Sequence, residues 1–130
     1  MEFEKYTEEQ DKERCELVGV NDKSLSGGCA SFSGMTYETL QKLVDKGYAD
    51  LEDSQNDSTT LGEYLEFMKT HPRFKAHGYI VSNDRNDRRI TIEGLKASQV
   101  TLDELQDFIN LDRDADEFEA MQSYCRSWWD

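Results

Sequence analysis

The stretch HGYIVSNDRNDRRITIEGL, residues 77–95, decides the fold expected for this chain. Two runs within it, residues 77–82 and 88–95, alternate apolar and polar side chains and flank a polar turn. Ile90 and Ile92, for example, fall on one face of the second run. Such alternation is typical of a half-buried antiparallel hairpin. The sequence therefore predicts two paired strands at this point.

Helices are predicted on both sides of this hairpin. Thr36, Thr60 and Thr101 each stand directly before apolar residues at helical spacing, which is typical of an N-cap. The last two are followed three residues later by glutamate, which completes a capping box. A fourth helix is predicted over residues 114–129, where apolar side chains again recur at helical spacing.

The N-terminal part has weaker signals. Residues 1–14 form a polar arm with a thin apolar stripe, either a frayed helix or a disordered segment. Residues 15–20 are predicted as a short strand, onto which residues 29–32 could pair back. The expected fold class is α+β, with four or so short helices and a two-stranded antiparallel hairpin. Residues 15–130 are expected to form one compact domain.

The element order over residues 36–95 (helix, loop, helix, hairpin) is similar to that of winged-helix domains. The resemblance is one of element order alone, and no sequence motif accompanies it. It implies that residues 60–70 are the recognition helix and residues 83–87 the tip of the wing. Glu63 and Glu66 on the outward face of that helix would repel phosphate, which disfavours DNA reading but allows protein contacts.

Charge and composition narrow the classes of function. The 130 residues carry a net charge of −13, which opposes direct binding to nucleic acid or to an anionic membrane. No apolar run approaches the roughly 20 residues that span a bilayer. Three cysteines without a short pair spacing indicate a reducing compartment, so a cytoplasmic location is expected.

The charge is unevenly distributed along the chain. Residues 72–99 hold six basic and three acidic side chains, net +3, so the other residues total −16. Arg85, Arg88 and Arg89 are the centre of this basic segment and form a candidate interaction site. They either pair with the molecule's own acidic helices or present a cationic tip to a partner.

The C-terminal part supplies two further candidate interaction sites. Residues 100–130 hold nine acidic and two basic side chains, net −7. Trp128 and Trp129 form a candidate aromatic anchor, although packing under the N-terminal arm explains them equally well. The candidate acidic surface consists of Asp103, Asp107, Asp112, Asp114, Asp116, Glu117 and Glu119.

Catalytic and metal signatures are weak. Cys29 lies in a Gly-Gly-Cys-Ala-Ser loop, but nothing in the sequence connects it to either histidine, His71 or His77. The acidic runs at residues 53–57 and 112–116 lack the glycine and closing glutamate of a calcium loop. We therefore predict no catalytic residue, no metal site and no cofactor.

The resulting hypothesis is an acidic, non-catalytic protein-interaction module whose partner is another protein. The alternative is a nucleic-acid mimic, of the kind encoded by phages against host defences, that occupies the channel of a DNA- or RNA-binding protein. An enzyme using Cys29 or His77, and nucleic-acid binding through the hairpin, are the remaining hypotheses.

Overall fold

The protein is described by a computed structural model over residues 6–20 and 28–130. Within these residues the chain forms four helices and five strands, and the strands make one antiparallel sheet in the order β1-β2-β3-β5-β4. In chain order the elements are α1 (Glu8–Val18), β1 (Cys29–Met35), α2 (Tyr37–Asp45), α3 (Leu61–Thr70), β2 (Lys75–Val81), β3 (Ile90–Ala97), α4 (Leu102–Asp112), β4 (Glu117–Met121) and β5 (Tyr124–Trp128).

The α+β class is confirmed, but the expected two-stranded hairpin is wrong as a description of the sheet. The predicted strands are present as β2 and β3, and they lie at the centre of five strands. The element order expected over residues 36–95 is present as α2, α3, β2 and β3, but the hairpin is not a separate two-stranded wing, because β1 pairs with β2 and extends the sheet. Both central strands are buried at most positions, so their outer backbone groups need neighbouring strands as hydrogen-bond partners.

The three predicted N-caps are confirmed. Thr36, Thr60 and Thr101 each accept a hydrogen bond from the backbone N–H three residues on. In α3 and α4 the side chains of Glu63 and Glu104 accept a hydrogen bond from the backbone N–H of Thr60 and Thr101, which completes the capping box. Each cap stabilises its helix by about 1 kcal/mol. The helix starts are therefore decided locally.

The strand predicted for residues 15–20 is wrong, because most of it belongs to α1. Thr7 caps this helix, and Cys15 and Val18 face the core from positions three residues apart. Gly19, in the left-handed region at φ 88°, ends the helix. The strand that was expected to pair with this segment, β1, pairs with β2 instead.

The helix predicted for residues 114–129 is also wrong. The segment forms the hairpin β4–β5, with a two-residue turn between Met121 and Tyr124. Phe118 and Ala120 pair across the strands with Ser127 and Cys125 and turn one face towards the core. The apolar spacing in this segment fits both a helical period and the alternation of a strand. The segment forms strands because β5 pairs with the edge of β3 that β2 leaves open. Cys125, in β5, is buried.

The core lies between this sheet and the helices. Three rings stack through it, with Phe74 and Phe108 5.0 Å apart and Phe108 and Phe118 5.1 Å apart. Phe108 and Asp112 are the buried side chains of α4, whereas Leu102 at its start is 68% exposed. The surface of α4 thus keeps an apolar side chain in solvent.

Candidate functional site

The basic hairpin tip is largely neutralised by its own loop. Arg85 donates two hydrogen bonds to the Asp87 carboxylate, both at 2.8 Å. Arg89 reaches the same carboxylate at 3.1 Å. These arginines, Arg85 first, lower the pKa of Asp87. With Asp84 included, three arginines face two aspartates in this loop, a net charge of +1. The exposed cationic finger considered as one alternative is therefore reduced to a small residual charge.

Arg89 also joins the loop to both strands of the hairpin. Its guanidinium donates to the Tyr79 hydroxyl at 2.9 Å and to the Thr91 hydroxyl at 3.1 Å. The charge lies 5.4 Å from the centre of the Tyr79 ring, within the range of a cation–π contact. Arg88 donates to the backbone carbonyl of Asn83 at 3.0 Å. All three predicted arginines thus stabilise the loop.

A cleft of about 620 Å³ lies beside this loop. Its lining includes Arg88 and Arg89, Tyr6 and the segment of residues 47–53. Asp53 in that segment is half-buried, and burial raises its pKa despite a hydrogen bond with Thr91 and the nearby charge of Arg89. Its Oδ2 atom is buried without a hydrogen-bond partner. Solvent in the cleft does not reach this oxygen.

A buried arginine behind the cleft was missed by the sequence analysis. Arg14 is 0% exposed and donates to the Asp11 carboxylate at 2.9 Å and to the Val81 carbonyl at 3.0 Å. Its guanidinium lies 5.1 Å from the centre of the Tyr6 ring. The spacing of Asp11 and Arg14 on one helix predicts the ion pair, but nothing local predicts its burial.

The candidate acidic surface divides into six exposed carboxylates and one buried carboxylate. Two of the exposed groups are paired, Asp107 with His71 at 2.9 Å and Glu117 with Arg126 at 2.6 Å. A third, Asp116, accepts a hydrogen bond from the backbone N–H of Asp130. The exposed members are Asp103, Asp107, Asp114, Asp116, Glu117 and Glu119.

Asp112 does not belong to that surface, because it is 1% exposed. Its carboxylate accepts hydrogen bonds from the Thr59 hydroxyl at 2.6 Å, the Tyr64 hydroxyl at 2.8 Å and the Trp129 indole N–H at 3.0 Å. Burial first, and then the charge of Asp112, raise the pKa of Tyr64 above its usual range. Asp112 is thus a buried acceptor that joins three segments of the chain.

The two tryptophans lie at the end of β5, and both are half-buried. The indole of Trp129 is held by Asp112, and its backbone N–H donates to the carbonyl of Glu93 at 2.8 Å. A hydrogen bond with the Trp128 side chain counters the rise in the pKa of Glu93 that burial causes. Both indoles are therefore engaged by the body of the domain.

Cys29 and His77 lie apart. Cys29 pairs with Val81 across the sheet, and His77 is four residues further along β2, a separation of roughly 13 Å at 3.3 Å per residue. His71 stacks on Phe67 with 3.9 Å between ring centres. Within residues 6–20 and 28–130, no group of three or more His, Cys, Asp or Glu side chains is placed to hold a metal ion.

Two exposed apolar side chains lie near the acidic surface. Leu102 is 68% exposed, and Met121 is 52% exposed. The backbone N–H of Val100 donates to the carbonyl of Gln122 at 2.9 Å, and the Gln122 amide donates back to Val100. The start of α4 and the β4–β5 turn are therefore neighbours, which brings Leu102 and Met121 to the same end of the molecule.

None of the helices in the described ranges is long and apolar enough to cross a lipid bilayer. Comparison with models of protein families, with curated proteins and with solved structures finds no significant match.

Proposed function

We propose that this chain is a non-catalytic protein-interaction module that binds a basic partner through the acidic surface of α4, β4 and the turn between them. The supporting observation is the exposure of six carboxylates there, in a segment of net charge −7. Four of them have no cationic partner among the described residues, namely Asp103, Asp114, Asp116 and Glu119. Unpaired surface charge of one sign steers a partner of the opposite sign.

Leu102 and Met121 supply the apolar part of the proposed contact. Interfaces owe most of their affinity to a few desolvated apolar or aromatic side chains, and surrounding charges add specificity. A basic amphipathic segment could cover both side chains and place its cations against Asp103 and Glu119. This chemistry favours the acidic surface over the hairpin, where Arg85 and Arg89 are already paired with the Asp87 carboxylate.

A titration with an amphipathic helical peptide, with leucines at i, i+3, i+4 and i+7 and lysines at the other positions, tests this proposal. The triple variant Asp103→Asn, Asp114→Asn, Glu119→Gln should weaken binding strongly. The matched control Asp57→Asn, Glu16→Gln, Glu66→Gln removes the same three charges from other exposed positions, so both proteins carry −10. Equal losses in the two variants would show that net charge alone drives binding, which contradicts a specific surface.

Nucleic-acid mimicry is the second candidate, and it would use the same carboxylates. Its support is the placement of acidic side chains on a helix and an adjoining strand, which hold charges at fixed spacing. The burial of Asp112 removes one of the seven predicted members. If the partner is a nucleic-acid-binding protein, duplex DNA should compete with this chain for it. Simultaneous binding of both would contradict mimicry.

The non-catalytic part of the proposal is supported by the separation of Cys29 from His77. A thiol without a neighbouring base should react with iodoacetamide at the rate of a free cysteine. Labelling of the native protein near neutral pH, followed by peptide mass analysis, measures this for Cys29. A markedly faster rate would contradict the proposal.

A further inference from the structure

The hairpin β4–β5 is joined to the rest of the sheet by a short junction. In the part of the chain that the structure describes, β3 pairs in register with β5 only at Lys96 and Ala97, whereas it pairs with β2 at six positions. A further backbone bond, from the Trp129 N–H to the Glu93 carbonyl at 2.8 Å, lies beyond the end of β5. Between these points the regular pairing of β3 with β5 is interrupted.

Side chains bridge this interruption. His77, on β2, donates from Nε2 to the backbone carbonyl of Ser127, on β5, at 2.7 Å, so its imidazole reaches across β3. Nε2 carries the ring proton in this contact, because a carbonyl oxygen only accepts. The Ser127 hydroxyl in turn accepts a hydrogen bond from the backbone N–H of Leu95 at 3.1 Å. His77 and Ser127 are both buried. Two side chains therefore help to hold β5 on the sheet.

The contact of His77 with Ser127 requires a glycine on the strand between them. A Cβ atom at Gly94 would collide with the Ser127 carbonyl oxygen and would lie 2.9 Å from Nε2 of His77. Any side chain at this position would therefore force the imidazole and the carbonyl apart. The contact thus depends on one residue from each of three adjacent strands, β2, β3 and β5.

The surroundings of His77 disfavour a positive charge on its ring. The charged groups that act on it are Lys96 on β3, Arg126 on β5 and Asp112 at the end of α4, two cations and one anion. Burial is the largest cause that lowers the pKa of His77, and the hydrogen bond with Ser127 opposes this change only in part. No described group hydrogen-bonds to Nδ1, so a second proton there gains no acceptor within the described residues.

We propose that the contact among His77, Gly94 and Ser127 is a pH-sensitive latch, which holds the β4–β5 hairpin on the sheet while His77 is neutral and weakens when His77 is protonated. Local opening between β3 and β5 gives water access to the imidazole, and water stabilises its charge. Protonation therefore favours the open form. The hairpin carries Glu117 and Glu119, so opening also disturbs the acidic surface. That last consequence alone rests on the proposed function.

Native-state hydrogen exchange of the backbone amides tests the latch. Amides of residues 117–128 should be less protected than those of β2 and β3, because the hairpin opens without global unfolding. After correction for the intrinsic pH dependence of exchange, their protection should fall by about three- to tenfold between pH 7.5 and 5.5, since an exposed histidine titrates near pH 6.5. Protection equal to that of β2 and β3, or protection that does not change with pH, would overturn the proposal.

Three variants assign the pH response to the latch. His77→Gln keeps a side-chain donor that does not titrate, so protection of the hairpin should become independent of pH over this range. Lys96→Gln keeps the latch and removes a nearby cation, so the fall in protection should be smaller. Lys42→Gln removes an exposed cation on α2 and should behave like the unmodified protein. An unchanged fall in both His77→Gln and Lys96→Gln would refute the role of His77.

The outcome is separable from that of the proposed function, because hydrogen exchange needs no partner. If the basic peptide fails to bind at pH 7.5, the proposed function fails, and the exchange measurement still decides the latch. If the peptide binds but protection of the hairpin does not depend on His77, the latch fails and the acidic surface remains a binding site.

Discussion

The hydroxyl of Tyr64 donates to the carboxylate of Asp112, lying 2.8 Å from Oδ2 and 3.0 Å from Oδ1. Both residues are buried, and the contact ties α3 to the last residue of α4. Trp129 binds the same carboxylate, so the end of the chain is attached to this point as well. The acidic surface on α4 is therefore positioned by a carboxylate of the same helix that faces inward.

Removing the Tyr64 hydroxyl should destabilise the protein. Tyr64→Phe leaves a buried carboxylate with one donor fewer, and we expect a loss of roughly 1–3 kcal/mol in the free energy of unfolding. Urea denaturation followed by tryptophan fluorescence measures it. Tyr37→Phe, which removes a half-buried hydroxyl on α2, is the matched control and should change little. Equal stabilities of the two variants would contradict the role assigned to Asp112.

Removing the Asp11 carboxylate beside Arg14 should lower the free energy of unfolding more than removing Arg14 itself. Asp11→Asn leaves a fully buried guanidinium without its carboxylate, at a cost of roughly 1–3 kcal/mol. Arg14→Met removes the buried charge and keeps much of its volume, so we expect a smaller loss. Thermal unfolding measures both, with Asp57→Asn as an exposed control. A larger loss in Arg14→Met than in Asp11→Asn would refute this order.

Arg85 and Arg89 should contribute unequally to stability. Arg85 makes an exposed ion pair, so Arg85→Ala should cost less than about 1 kcal/mol. Arg89 is half-buried and also donates to Tyr79 and Thr91, so Arg89→Ala should cost roughly 1–3 kcal/mol. Chemical denaturation of the two variants side by side gives the difference. Identical midpoints would contradict the bracing role of Arg89.

His77 should make stability fall in mild acid. Burial is the largest cause that lowers the pKa of His77 from its ordinary 6.5, and the charges of Lys96 and Arg126 act in the same direction. The unfolded chain therefore binds this proton more readily than the folded one. Neutral His77 therefore costs the folded state nothing above pH 6.5, and the free energy of unfolding decreases as the pH falls below that value. Denaturation midpoints measured across this range should show the decline.

The matched variant is His77→Gln, whose side chain does not titrate. Its stability should depend less on pH than that of the unmodified protein over the same interval, even if its absolute stability is lower. Parallel pH profiles for the two proteins would assign the acid sensitivity to other groups.

Sequence reasoning succeeded where the deciding contacts are short-range. Thr60 and Glu63 are three residues apart, and their capping box is set by side chains that meet within one turn. The alternation around Ile90 and Ile92 was likewise enough to locate β3, because both residues face one side of one strand. It was not enough to show that β3 pairs with β5 as well as with β2.

Sequence reasoning failed where the structure of a segment depends on contacts with distant parts of the chain. Residues 114–129 carry an apolar spacing that fits a helix and a hairpin equally well, and only the unpaired edge of β3 selects the hairpin. Asp112 looks like the neighbouring surface aspartates in sequence. Its burial depends on Thr59, Tyr64 and Trp129, of which Thr59 and Tyr64 lie about 50 residues away.

The amino-acid sequence alone determined the net charge, the starts of three helices and the location of the central hairpin, since these follow from composition or from residues within a few positions of one another. The tertiary structure decided which carboxylates are exposed, that Asp87 pairs with both Arg85 and Arg89, and that the uncharged strand β1 lies at an edge of the sheet. The reason is that burial, ion pairing and strand order depend on which distant segments meet, and local propensity carries no information about that.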